Sequence, residues 1–278
     1  MGSGMATRLI AAGHDVTVYN RSTGRAEPFA RRGAKVAGSP RAAAEGADII
    51  IGMSADDDSS RALWLGEEGA LAAENQPDAL AIECSTLSHD WVLELAEHVR
   101  ERHFRYVDAP VTGLPDAAAA GTLTLLVGAD PADLDIARPV FASLATRVLH
   151  FGPVGQGTVY KLMVNLMGAV QIASAAEGIA MAERAGLDLR LVADAVASGQ
   201  AASPQVVRNV RRFVAQETGP VNFTPALRLK DIDYALRLAR KLGAACPFGA
   251  VAQRLYGELC ERGAAQENES RIIEVLRG

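Results

Sequence analysis

Lys161 and Asn165 stand four residues apart in Gly155-Gln-Gly-Thr-Val-Tyr-Lys161-Leu-Met-Val-Asn165, a stretch that runs on through apolar and small residues to Ala176. On a helix that spacing stacks the two side chains on one face. From Leu162 to Val170 the only polar side chain is Asn165, and a helix that is hydrophobic all round is expected to be buried. An amine and an amide on such a helix must snorkel to its end, be paired, or face a cavity. The periodicity alone leaves a snorkelling lysine and a lysine held for proton chemistry both open.

Four other short stretches offer ligand-binding groups. Asn20-Arg21-Ser22 follows the alternating run Asp15–Asn20. An NAD-preferring dinucleotide site usually puts an acid there for the ribose 2′-hydroxyl, whereas a guanidinium suits a 2′-phosphate. Met53-Ser54 and Ser85-Thr86 each follow an apolar run of strand length. Asp108-Ala-Pro-Val-Thr112-Gly113 reads as a turn whose exposed amides and hydroxyl can hold a carboxylate without a charged residue. Asp56-Asp57-Asp58 tempts a metal reading, but after a strand end three acids more naturally cap the next helix.

The bulk of the chain narrows the classes. Its 278 residues are 49% hydrophobic and 22% charged, enough for one large or two ordinary domains. A net charge of -5 and no basic run argue against nucleic acid or an anionic membrane as partner. The apolar run Leu162–Val170 is too short to span a bilayer. The start lacks the pattern of a secretory signal, and three scattered cysteines, Cys84, Cys246 and Cys260, suit reduced thiols in a cytoplasm. The five histidines show no metal-ligand spacing, so no metal site is expected.

The elements that position these groups change character near residue 152. Up to there strand-like and helix-like segments alternate: Ala79–Glu83 and Thr122–Val127 read as strands, Asp90–Arg102 and Pro131–Leu144 as helices. That order predicts α/β architecture, a Rossmann-type doubly wound sheet, mostly parallel, over residues 1–152. In such a sheet ligands sit outside the carboxyl ends of the strands, where the four loops and the helix start at Gly2 fall. Residues 153–278 read as helices only, at 159–185, 188–197, 205–216, 225–242, 248–262 and 269–276. An all-helical domain for substrate binding and dimerisation is the expectation there. The N-terminus reads as a helix ended by Gly13, so a first strand and most of a phosphate-binding turn are missing from the unit. A wrongly chosen start codon or a fragment, with weak cofactor binding, is the expectation; Met-Gly-Ser also opens vector-derived tags.

Together these segments resemble the β-hydroxyacid dehydrogenase family, which includes 3-hydroxyisobutyrate dehydrogenases, tartronate semialdehyde reductases and glyoxylate/succinic semialdehyde reductases. The resemblance spans the whole chain. Met1-Gly2 is similar to the end of the family's GxGxxG opening, DAPVTGL to its DAPVSGG loop, GQGTVYKLMVN to its GxGxxxKxxxN helix start, and Lys230-Asp231 to a late KD pair. Thr112 replaces a serine and Leu114 a glycine, which leaves the substrate open.

The resemblance implies a 1.1.1-type NAD(P)-dependent oxidoreductase acting on a small carboxylate-bearing substrate, with NADP(H) favoured by Arg21 and NAD(H) also possible. It makes Lys161 the general acid of carbonyl reduction and general base of alcohol oxidation, and an amine desolvated among Leu162, Met163 and their neighbours suits that work. Asn165 then orients the reacting oxygen or the lysine. Thr112, Gly113 and Lys230 line the substrate side. Gly2, Asn20, Arg21, Ser22, Met53, Ser54, Thr86 and Lys230 line the cofactor side. A homodimer or homotetramer is implied as well. Two alternatives stand beside this: an imine reductase, a class that generally carries another residue at the lysine position, and a non-catalytic relative that kept the fold.

Overall fold

The computed structural model describes residues 1–75, 78–216 and 220–277, and the chain divides into two compact units, Met1–Lys161 and Leu162–Gly278. The division between these units falls inside a long helix, and Gly278 lies outside the described residues.

The first unit opens with α1 (Gly2–Ala11), closed as expected by Gly13 with φ of 87°. Then come β1 (Thr17–Val18), α2 (Thr23–Ala30), β2 (Lys35–Val36), α3 (Pro40–Ala44) and β3 (Ile49–Gly52). After them follow α4 (Asp57–Trp64), β4 (Leu80–Glu83), α5 (His89–Glu101), β5 (Arg105–Asp108), β6 (Val111–Thr112), α6 (Pro115–Ala120), β7 (Leu123–Gly128), α7 (Pro131–Leu144) and β8 (Ala145–Gly152). The Asp triplet caps α4: the Asp56 carboxylate accepts the Ser59 N–H at 2.8 Å, and Asp57 and Asp58 fill the first turn.

β3, β4 and β5 are parallel neighbours, and all four residues of β4 are buried, as a strand covered on both faces must be. The sheet is mixed beyond them. β7 runs antiparallel to β5 and β6, and β8 runs parallel to β7. β1 and β2 form a parallel pair of their own, separate from the six-stranded sheet.

One local reading changes. Val111-Thr112 is not part of a turn: Val111 is buried against β7, and the Leu126 N–H donates to Pro110 O, so Asp108 to Thr112 is one extended run along β7. The alanine run at 117–120 belongs to α6, whose Ala118 packs beneath α1. Gly4 makes that packing possible, because a Cβ on it would lie 2.7 Å from the Ala119 nitrogen. Gly2, the expected motif glycine, meets only Met53, and at an ordinary 3.7 Å.

α8 (Gln156–Arg184) begins in the first unit and continues through the second, followed by α9 (Leu189–Ser198), α10 (Pro204–Ala215), α11 (Pro225–Lys241), α12 (Pro247–Leu259) and α13 (Ile273–Arg277). Ser203-Pro204 and Thr224-Pro225 start α10 and α11 as cap and first helical residue. The core of the second unit is built from Ala169, Ile172, Ala176 and Ile179 of α8 with Phe213, Ile232, Ala252, Tyr256 and Ile272. The whole of α8 is long and apolar enough to cross a bilayer by length and composition, which the run Leu162–Val170 alone does not show. It is also not buried all round: Met163, Met167 and Met181 are exposed.

Candidate active site

The register of the parallel strands pairs Gly52 with Glu83 and Glu83 with Asp108, so three carboxyl-end loops lie side by side. Ser54 joins the first two. Its N–H donates to Ser85 Oγ at 2.6 Å, and the two hydroxyls are 3.1 Å apart. Glu83 holds this arrangement from below. Its buried carboxylate accepts from Ser60 Oγ at 2.8 Å, from Trp64 Nε1 at 2.7 Å and from the Ser85 N–H at 3.0 Å. Met53 packs against the core, and Thr86 is half-buried one residue past Ser85.

Thr112 and Gly113 are exposed at the end of β6. Because β7 meets β5 only at the Asp108–Gly128 pair and runs the other way, its first half and β6 reach past the carboxyl end of β5. The loop therefore lies on the same side of the sheet as Ser54 and Ser85. Asn20, Arg21 and Ser22 are exposed at the end of β1, on the two-stranded sheet. Asn20 Oδ1 accepts the Ser22 N–H at 2.9 Å, a local turn that leaves the chain ready to enter α2.

Beyond opening the Asp108–Gly113 stretch, Asp108 has a second task in the structure. Its buried carboxylate accepts the Thr158 N–H at 2.9 Å and the Thr158 hydroxyl at 2.6 Å, so it caps the N-terminus of α8 across the fold. Burial pushes this carboxyl from 3.8 up to about 7, against the opposing pull of the Thr158 and Gly155 donors. A raised carboxyl binds its proton more readily folded than unfolded. Its contribution to stability is present in full below the unfolded value and is lost as pH rises through about 7. Asp108→Asn keeps the shape and an acceptor, so it should flatten the decline in unfolding free energy between roughly pH 4 and 7. Urea titrations across that range check this; a wild-type slope in the variant would refute it.

Lys161 lies in the second turn of α8 and is buried at 9% exposure. One turn on, in the second unit, Asn165 Nδ2 donates to Asp231 Oδ2 at 2.6 Å. Asp231 is buried, and Lys230 Nζ stands 3.0 Å from its other oxygen. A carboxylate only accepts, so the Asn165 amide is oriented with nitrogen towards Asp231. Lys230 also lies over the Tyr234 ring at 5.1 Å. The helix spacing of Lys161 and Asn165 and the Lys230-Asp231 pair are legible in the sequence. The partnership of Asp231 with Asn165 is not, because 66 residues separate them. Among the described residues no group of three His, Cys, Asp or Glu is placed to hold a metal ion.

Residues 1–152 match the family model described as the NAD binding domain of 6-phosphogluconate dehydrogenase, and residues 155–276 match the NAD-binding of NADP-dependent 3-hydroxyisobutyrate dehydrogenase. An uncharacterized oxidoreductase of Synechocystis sp. is 34% identical, over 100% of this chain and 95% of that protein. The NAD-dependent L-serine dehydrogenase of Pseudomonas aeruginosa is 32% identical, over 99% of this chain and 94% of that protein. Among solved structures, the Mycobacterium tuberculosis 3-hydroxyisobutyrate dehydrogenase with L-serine superposes with a TM-score of 0.88 at 30% identity, covering 100% of this chain and 96% of that one.

Proposed function

The chain belongs to the β-hydroxyacid dehydrogenase family, and we propose that it moves hydride between a nicotinamide dinucleotide and a small 3-hydroxy acid or the matching semialdehyde or 2-oxo acid. The observation that carries this reading is the buried Lys161 one helical turn from an amide clamped by Asp231. A buried amine and an oriented amide on one face of one helix carry a desolvation cost that a purely apolar helix would avoid.

The donor set suits a dinucleotide. α1 has no acid in its first turn and no side chain capping its start, which leaves the positive end of the helix for a phosphate. Gly2 lets backbone come close there, Ser54 and Thr86 offer hydroxyls beside Met53, and Asn20, Arg21 and Ser22 stand at the end of β1 for the adenosine ribose. When bound, the nicotinamide supplies or accepts the hydride. The protein's own part is proton transfer and alignment. Lys161 gives its proton to the carbonyl oxygen during reduction and takes it from the hydroxyl during oxidation. Asn165 fixes that oxygen beside the amine. Thr112 and Gly113 hold the substrate carboxylate with a hydroxyl and backbone amides.

Support for a 3-hydroxy acid comes from the relatives named for 3-hydroxyisobutyrate and L-serine. Rates with 3-hydroxyisobutyrate, L-serine, glycerate, 4-hydroxybutyrate and glyoxylate, each with both cofactors, test the reading; no turnover of any would overturn it. The matches name both NAD and NADP, and we favour NADP(H) on Arg21. Arg21→Asp should then shift the ratio of kcat/KM for the two cofactors towards NAD by at least about tenfold, the scale of one charge-assisted contact. An unchanged ratio refutes the assignment. A cytoplasmic homodimer or homotetramer completes the reading, with the exposed methionines of α8 as apolar surface for a second copy.

A further inference from the structure

Asn165 is held at two points, both from α11. Besides the grip of Asp231 on its side chain, Arg228 Nη1 donates to its main-chain carbonyl at 3.3 Å. Arg228 and Asp231 are three residues apart, hence on one face of α11. The guanidinium is itself fixed on every side. Its Nε and Nη2 lie 2.8 and 2.7 Å from Glu269 Oε2, and its plane lies over the Phe223 ring at 4.4 Å. Glu269 begins the helical turn Glu269–Ile272 near the C-terminus. Its own N–H donates to Phe223 O at 3.0 Å, and Arg208 Nη2 stands 3.7 Å from its other oxygen. Arg228 and Glu269 are 4% and 2% exposed. Burying this pair among apolar residues carries a large desolvation cost, and packed hydrophobic residues commonly give equal or better stability.

The structure assigns Arg228 and Glu269 a positioning role: through the Asn165 carbonyl they set where the Asn165 amide stands. The inference rests on the reading of Asn165 as a group that orients the reacting oxygen. Neither residue touches that oxygen. They act through Asn165, and the C-terminal turn thereby becomes part of what aligns the reaction.

The test uses the full chain. Glu269→Gln leaves Arg228 buried beside a neutral partner and risks misfolding, so the paired variant Arg228→Gln/Glu269→Gln, which removes both charges together, is made beside it. Two readouts are taken. In the protein without cofactor, the side-chain amide resonance of Asn165 should shift in both variants. With cofactor and substrate, kcat should fall on the order of tenfold, as expected when a reacting group is slightly misplaced, while the cofactor KM stays unchanged. On an Asn165→Ala background the same substitutions should cause no further fall in kcat. An unmoved amide resonance, or a fall in kcat that persists undiminished without Asn165, overturns the assignment. If the wild type turns over none of the acids, the dehydrogenase reading fails by itself, and the amide resonance alone decides whether the grip exists.

Discussion

Replacing Lys161 with methionine should lower kcat for reduction of small semialdehydes by about 10²–10⁴-fold, the usual worth of general acid–base catalysis. Methionine keeps the apolar stem and its packing in this buried place while removing the amine. The loss should appear equally in kcat and kcat/KM, because a proton moved only in the transition state contributes nothing to ground-state binding. NADPH affinity, followed by fluorescence titration, should not change, since the proposed cofactor groups lie on α1, at the ends of β1, β3 and β4 and, with Lys230, on α11, rather than on α8. Equal NADPH consumption by variant and wild type would remove Lys161 from the mechanism and leave Asn165 and Asp231 as a structural pair.

Much of the frame is legible in the residue pattern because it depends on neighbours in sequence. Pro131 to Leu144 reads as a helix from its periodicity, and α7 has those bounds. The Asp triplet reads as a cap, and Asp56 bonds the Ser59 N–H. What escapes is whatever depends on a distant partner. β6 is two residues long, too short for any alternation to show, and exists because β7 is there to pair with it. Glu83 and Asp108 end strands, where an acid ordinarily reads as solvated surface. Ser60 and Trp64 of α4, and Thr158 of α8, turn them into buried anchors. A clue stands at Glu83, where an acid closes the apolar run Leu80-Ala81-Ile82. The same limit applies to the site. Lys161 and Asn165 announce themselves by helical spacing, but Glu269, far along the chain, carries no local mark of its link to Asn165.

Gly157→Ala should be strongly damaging, and it tests how α8 is placed. The glycines of Gly155-Gln-Gly157 read as a turn that opens a helix, yet Gly157 also lies backbone-to-backbone on β7. A Cβ there would stand 2.3 Å from the Leu126 carbonyl oxygen and 2.9 Å from the Gly128 nitrogen. From the other side a Cβ on Gly128 would stand 2.7 Å from Pro153 O. Backbone atoms cannot rotate away as a flexible side chain can, so the helix start must retreat by about 1 Å, and interiors packed to crystal density resist that. We expect destabilisation of about 3 kcal/mol, the upper end of the overpacking range, read by urea denaturation. Gly24→Ala is the control: nothing lies within 4 Å of its Cβ in α2, and a helical glycine replaced by alanine should gain up to about 1 kcal/mol. The same retreat would pull Thr158 from Asp108 and carry Lys161, three residues further on, out of line. Whatever Gly157→Ala protein remains folded should therefore lose about 10²-fold in kcat, the cost of misplacing a reacting group by that distance. Stability within about 0.5 kcal/mol of wild type, the ordinary effect of a surface substitution, would show that α8 is not seated on β7 by this backbone contact.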